Sequence, residues 1–149
     1  MEKKKVKYSE GDLFSISLDN QDKYLGLIVK RKGRTKLLVG YFWRIAFDGN
    51  KNLVLNQSDA TLITKFSGLG FEVGDWNLVG KYPKWNKTEW AIPKFKRYNG
   101  LLDLYFAISY DDNLEEIFEQ KITHQEAKYL FEDGSHGYIS LENLLKTLI

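Results

Sequence analysis

Few residues in this chain could do covalent or metal chemistry. There are two histidines, His124 and His136, and no cysteine. The missing cysteine removes a thiol nucleophile, a thiolate metal site and a disulfide framework. His124 has Lys128, not a ligand, four residues on, so it lacks the helical companion a metal site uses. Ser135 adjoins His136, but sequence neighbours rarely face each other as nucleophile and base, and a loop serine is the better reading. Glu115-Glu116 offers two carboxylates, the minimum for glycoside hydrolysis, yet adjacent carboxylates ordinarily mark a solvated surface. Gly68 and Gly70 are not followed by the Lys-Ser/Thr ending of a phosphate-cradling loop. The expectation is a binding protein with no catalytic set, no metal and no cofactor.

A binding surface needs elements to hold it, and strand signals dominate the first two-thirds of the chain. After the turn dipeptide Gly11-Asp12, Phe14, Ile16 and Leu18 alternate with Ser15 and Ser17 at the period of a half-buried strand. A short loop leads to Tyr24–Val29, predicting a hairpin. Thr35–Trp43 follows across the basic turn Arg31-Lys32-Gly33-Arg34. Thr61–Phe66 reads as a strand, with helix an option for Ser58–Lys65, and Ser67–Gly70 reads as a loop. Trp76–Val79 is a short strand, and Pro83 and Pro93 restrict the chain beyond it. Leu101–Tyr110 is strongly β-rich, and Leu114–Ile122 is read as an edge strand. Thr123-His124-Gln125-Glu126 is a capping box, which predicts a helix over His124–Phe131. Ser140 is read as the cap of a last helix, Leu141–Ile149, whose leucines recur at helical spacing. The fold expected is α+β, mainly β: a strongly curved antiparallel sheet or a small SH3-like barrel with two short C-terminal helices.

Two segments have aromatics, glycines and prolines at fixed spacings. One contains Gly11, Asp12, Phe14, Ile16 and Leu18, then Tyr24, Gly26 and Val29. The other contains Gly74, Trp76, Leu78, Val79, Gly80 and Pro83, then Trp90, Pro93 and Phe95. Together they resemble the immunity protein 26 family of bacterial polymorphic toxin systems, over roughly residues 8–98. Ser17 departs from the pattern, since many members carry proline there. The resemblance implies a non-enzymatic protein that neutralises a cognate toxin by binding it.

Size and charge fit that reading. A chain of 149 residues suits one domain, residues 1–149, and can bury roughly two-thirds of its unfolded surface. Met1-Glu2-Lys3-Lys4-Lys5 is basic, but no apolar stretch follows, so a secretory signal is not expected. No apolar run approaches a membrane span. A cytoplasmic protein, monomeric or weakly dimeric, is expected. The net charge of +2 conceals segregation. Residues 1–40 carry ten Lys/Arg against five Asp/Glu, residues 81–98 six against one, and residues 109–133 two against eight. A charge run is ordinarily a solvated face, but segregation can also report a partner's electrostatics. The toxin-binding residues expected are Asp111, Asp112, Glu115, Glu116 and Glu119, with Trp85 in the polar loop Lys84-Trp85-Asn86-Lys87 as an exposed anchor. Trp76 and Trp90 are expected in the core. The competing account puts the contact on the basic loop Arg31–Arg34 with Trp85. A nucleic-acid-binding or RNA-cleaving small barrel is the other reading, from the basic runs Lys30–Arg34 and Lys94-Phe95-Lys96-Arg97-Tyr98 interleaved with aromatics. The near-neutral total charge makes nucleic acid the less favoured partner.

Overall fold

Phe14 and Ile16 turn to one face of the first strand, β1 (Asp12–Ser17), and Leu13 to the other, and all three are buried. The computed structural model describes residues 6–148; the basic opening Met1–Lys5 and the expected helix end at Ile149 lie outside them. In β2 (Lys23–Arg31) every residue from Tyr24 to Lys30 is buried. A strand covered on both faces reads as a near-continuous apolar run rather than an alternating one. β1, β2, β3 (Leu37–Trp43) and β4 (Leu62–Ser67) pair antiparallel in succession, and β5 (Trp76–Lys81) returns beside β1. A second sheet is the antiparallel meander β6 (Phe95–Asn99), β7 (Leu104–Tyr110) and β8 (Glu116–Ile122). β9 (Ser135–His136) joins β4 in parallel, giving the larger sheet the order β5-β1-β2-β3-β4-β9. The helices are α1 (Leu69–Glu72), α2 (His124–Ala127) and α3 (Tyr138–Thr147).

The fold is α+β, mainly β, as expected, with open sheets rather than a barrel. Each face of the larger sheet carries its own core. On one, Phe14 packs against Phe42, Phe66, Phe71 and Trp76 with ring centroids 4.8–5.9 Å apart, and Leu141 and Leu145 of α3 close over this cluster. Gly26 lies opposite Phe14 in the β1–β2 register. A Cβ there would stand 2.3 Å from the Phe14 ring, so the ring can lie across the strand only over a glycine. On the other face, Trp90 meets Tyr41, Trp43 and Tyr82 edge-on at 5.2–5.9 Å. This draws the segment between Pro83 and Pro93 down onto the sheet, where Tyr41 Oη donates to Ala91 O at 3.0 Å. Trp76 and Trp90 are both buried.

Several element boundaries differ from the sequence reading, each for a local reason. The capping box forms as expected, with Thr123 accepting from Glu126 N–H. Yet α2 makes one turn and stops, because the chain must turn back to pair with β6: Lys96 N–H donates to Phe131 O and Asp133 N–H to Lys96 O, each at 2.8 Å. β6 has no counterpart in the sequence reading, its apolar signal being little more than Phe95 and Tyr98. β7 starts at Leu104, since Asp103 sits at φ 52° in the preceding turn. α1 begins inside the expected loop Ser67–Gly70. α3 starts earlier than expected, with Gly137 as its cap. Ser140 lies in its first turn, 2.9 Å from His136 Nδ1. The 58–65 stretch is strand from Leu62, preceded by a single 3-10 turn at Gln57–Asp59.

Trp76→Ala and Trp90→Ala are each expected to cost about 3–5 kcal/mol, as large aromatic deletions in a core do. Gly26→Ala, which overpacks the Phe14 ring, is expected to cost roughly 1–3 kcal/mol. Urea denaturation midpoints measure all three; an unchanged midpoint for Gly26→Ala would show that the ring is not held against this strand.

Candidate interaction surface

The acidic stretch is built by a tight connection between β7 and β8. Asp111 N–H donates to Glu115 O, Leu114 N–H donates to Asp111 O, and Asp111 Oδ1 accepts from the N–H groups of Asn113 and Glu115, all at 2.9–3.0 Å. Leu114 takes the left-handed conformation, φ 57°, and is buried in the second core. A non-glycine residue stays there only where its surroundings fix it. Asp111 therefore shapes the loop, and Asp112 is carried at its tip with a side chain 90% exposed.

The fold sets most of this acidic stretch against basic residues of the same chain. Glu115 meets Lys32 at 2.8 Å, Glu116 meets Arg97 at 2.8 Å, and Asp112 lies 3.8 Å from Lys30 Nζ. Glu119 projects from β8 and lines a separate open cavity of about 530 Å³ with Arg97, Tyr98, Leu101 and Phe106. The acidic stretch and the basic loop, opposed accounts in the sequence, thus form one surface. Its centre is Lys30, a buried lysine within 4 Å of both Glu10 and Asp112. On one side Lys30 and Asp112 line a cleft of about 370 Å³ with Trp90, Ile92, Lys87 and Tyr110. On the other, Glu10 and Arg31 line a hollow with Tyr8, Gly33 and Trp85.

Trp85 is half-buried rather than exposed. Gly11, at φ 91°, leaves room for it; a Cβ on Gly11 would come within 2.8 Å of the indole. Arg31 is tied down beside it, donating to Tyr8 O and Thr35 O and lying 4.3 Å over the Tyr8 ring. The histidines stay apart: His124 Nε2 sits 3.1 Å from Asp103 Oδ1, and His136 turns to Ser140. Among the described residues no group of three or more His, Asp or Glu is placed to hold a metal ion. Likewise, none of the helices there is long and apolar enough to cross a membrane.

A second charged cluster has no counterpart in the sequence reading. Asp133, whose side chain is almost fully buried, accepts from Tyr110 Oη and Arg97 and lies 3.2 Å from Lys65 Nζ, which itself donates to Tyr110 Oη at 2.8 Å. Burial pushes the Asp133 carboxyl up, but the hydrogen bonds from Tyr110, Arg97 and Lys65 outweigh it and hold the group below its ordinary value of 3.8. The available signal is a lysine, Lys65, inside the otherwise uncharged strand run Leu62-Ile63-Thr64-Lys65-Phe66. Four cations of the two basic runs, Arg97, Arg31, Lys30 and Lys32, are engaged internally.

The profile of the family described as immunity protein 26 matches residues 9–103, more than half of the chain. This chain belongs to the immunity protein 26 family. No curated protein and no solved structure matches it. The family match takes in β1 through β6, including Trp85, Lys30 and the Trp90 segment, and ends in the turn before β7. The acidic loop Asp111–Glu115 and β8 lie beyond it.

Asp133→Asn is expected to destabilise the protein by about 3 kcal/mol at neutral pH, since it leaves Lys65 facing a neutral group in a buried place. Because the folded carboxyl sits below its unfolded value, its contribution is present above about pH 4 and lost as pH falls through the folded value. Thermal melts from neutral pH to pH 2 should show a shallower acid limb for Asp133→Asn than for the unsubstituted protein. Trp85→Ala is expected to cost about 1 kcal/mol, between an exposed and a fully buried aromatic.

Proposed function

We propose that this protein neutralises a cognate bacterial toxin in the cytoplasm by binding it, without catalysis of its own. The family membership carries this reading. The contact we propose is the surface around Lys30: Asp112 at the tip of its rigid loop, with Asp111 and Glu115 beside it, and the half-buried Trp85 across the end of β2. Such a surface suits recognition. A partly exposed indole supplies area at little entropic cost. An exposed carboxylate on a fixed loop steers a basic partner and makes association salt-dependent. Glu116, engaged by Arg97, and Glu119, on the edge strand, stand outside this patch.

The test pairs the protein with the toxin encoded beside its gene. Asp112→Lys combined with Glu115→Lys is expected to weaken binding at least about tenfold and to flatten its salt dependence. Arg34→Glu, which reverses an exposed charge on the basic loop, is expected to change little. Protection lost with Arg34→Glu and retained with the double reversal would move the contact to the basic loop. A protein that neither binds nor protects against that toxin would refute the function itself.

A further inference from the structure

β8 is a free sheet edge among the described residues. The opposite edge of its sheet, β6, is covered by the hydrogen bonds to Phe131 and Asp133. The rim strand of the larger sheet, β5, is bent by a register shift against β1 and by Gly80 at φ 130°. β8 has one irregularity, near its start, where the register shifts between Ser109 and Tyr110. From Phe118 to Ile122 it runs in regular register with β7. Ile117 and Phe118 are more than half exposed. A regular strand edge with apolar side chains is a template for another strand.

The side chains indicate which strand. The run Phe118-Glu119-Gln120-Lys121-Ile122 is complementary to its own reversal. An antiparallel copy related by a two-fold axis at Gln120 sets Glu119 against Lys121, and Phe118 against Ile122, each twice. No like charges meet. Moving the axis to Glu119 would bring two glutamates together, and moving it to Lys121 would oppose two lysines. Cross-strand pairs of opposite charge and of apolar residues are what stabilise a sheet seam. The two-fold makes the contact isologous and closed, so it ends at two copies.

We propose that the β8 edge is a self-association surface: two copies pair β8 to β8 about Gln120, extending the sheet from β6 of one copy to β6 of the other. The seam is five residues long and smaller than a standard interface of roughly 800 Å² per partner, so the dimer is weak, with a dissociation constant on the order of 100 µM. The proposal is independent of the toxin reading and uses a different surface.

Sedimentation equilibrium of the purified full chain, from about 5 µM to about 1 mM, brackets that constant. The unsubstituted protein is expected to dimerise across this range. Glu119→Lys alone and Lys121→Glu alone should each weaken the dimer about tenfold, since two pairs turn repulsive together. The double swap, Glu119→Lys with Lys121→Glu, should restore it. An equimolar mixture of the two single variants should form a heterodimer, because each supplies the charge the other lacks. Thermal melts should show all variants folded. A chain monomeric at about 1 mM, a dimer indifferent to Glu119→Lys, or a double swap that fails to restore association would each overturn the proposal. So would loss of toxin binding by Glu119→Lys in a protein that is always monomeric, which would give the edge to the toxin instead.

Discussion

The Phe14 ring lying across Gly26 is the contact on which the rest of the structure depends. It lets one side chain of β1 reach over β2 and touch Phe42 and Phe66 from β3 and β4, Phe71 from α1 and Trp76 from β5. Sheets are normally stitched by direct cross-strand pairs. Here a single aromatic spans the strands, and the site opposite it must be empty of a side chain. The same device recurs at Gly70, where the Trp76 indole occupies the space a Cβ would take. α3 then closes the core with the fully buried Leu141 and Leu145, while its Tyr138 and Leu144 pack partly buried against the same cluster. The aromatics of the other face are then free to hold the Trp90 segment, and with it one wall of the Lys30 cleft.

Joining the two sheets is a different problem, solved with charge. Lys65 comes from β4, Tyr110 from β7, Arg97 from β6 and Asp133 from the strand-like return after α2. A buried charged cluster is weak as a source of stability, because desolvation offsets the attraction. It is strong as a positional constraint, because the Asp133 and Lys65 side chains, both well buried, meet their partners only in this arrangement of the strands. The tilt of the small sheet against the large one is therefore fixed by directional bonds as well as by apolar contact from Phe95 and Leu114. That fixed angle brings the Asp111–Glu115 loop to the end of β2, beside Lys30 and Lys32.

The sequence exposes the faces of strands far better than the relations between them. β1 and the β1–β2 hairpin are legible because Phe14 and Ile16 alternate with serines, and the Thr123–Glu126 box because its spacing is a local geometric fact. β6 is hidden because Lys94–Tyr98 reads as a basic run, and its pairing depends on β7 and on residues 131–133, far away in sequence. The extent of α2 is obscured for the same reason, since a strand pairing ends it and not a breaker residue. Charge is the most misleading signal. Blocks segregated along the chain, +5 for residues 1–40 and −6 for residues 109–133, look like two faces. The fold lays one block on the other, so that Lys32–Glu115 and Lys30–Asp112 are neighbours across more than eighty residues of chain. The polar neighbours of Trp85 suggest exposure, whereas its burial is decided by Gly11, which nothing near residue 85 announces.

The family match ends at residue 103, yet residues 104–149 are no mere appendage. β7 is the middle strand of the small sheet, and α3 supplies two fully buried leucines to the main aromatic core. The last third of the chain is needed to complete a frame that the first two-thirds begins. That same third carries the Asp112 loop and the β8 edge. On the proposed reading, the partner-facing residues are thus attached to elements that cannot drift without opening a core. Asp112 is held by the Asp111 turn and the buried Leu114, and Glu119 by the regular register of β8 on β7. A protein that must recognise one partner among close relatives benefits from such placement. Specificity is a difference between affinities, and an exposed charge discriminates only if it cannot move to accommodate the wrong surface. Rigid attachment of a small number of exposed charges, on a fold that pairs most of the others internally, gives that discrimination without requiring a large net charge.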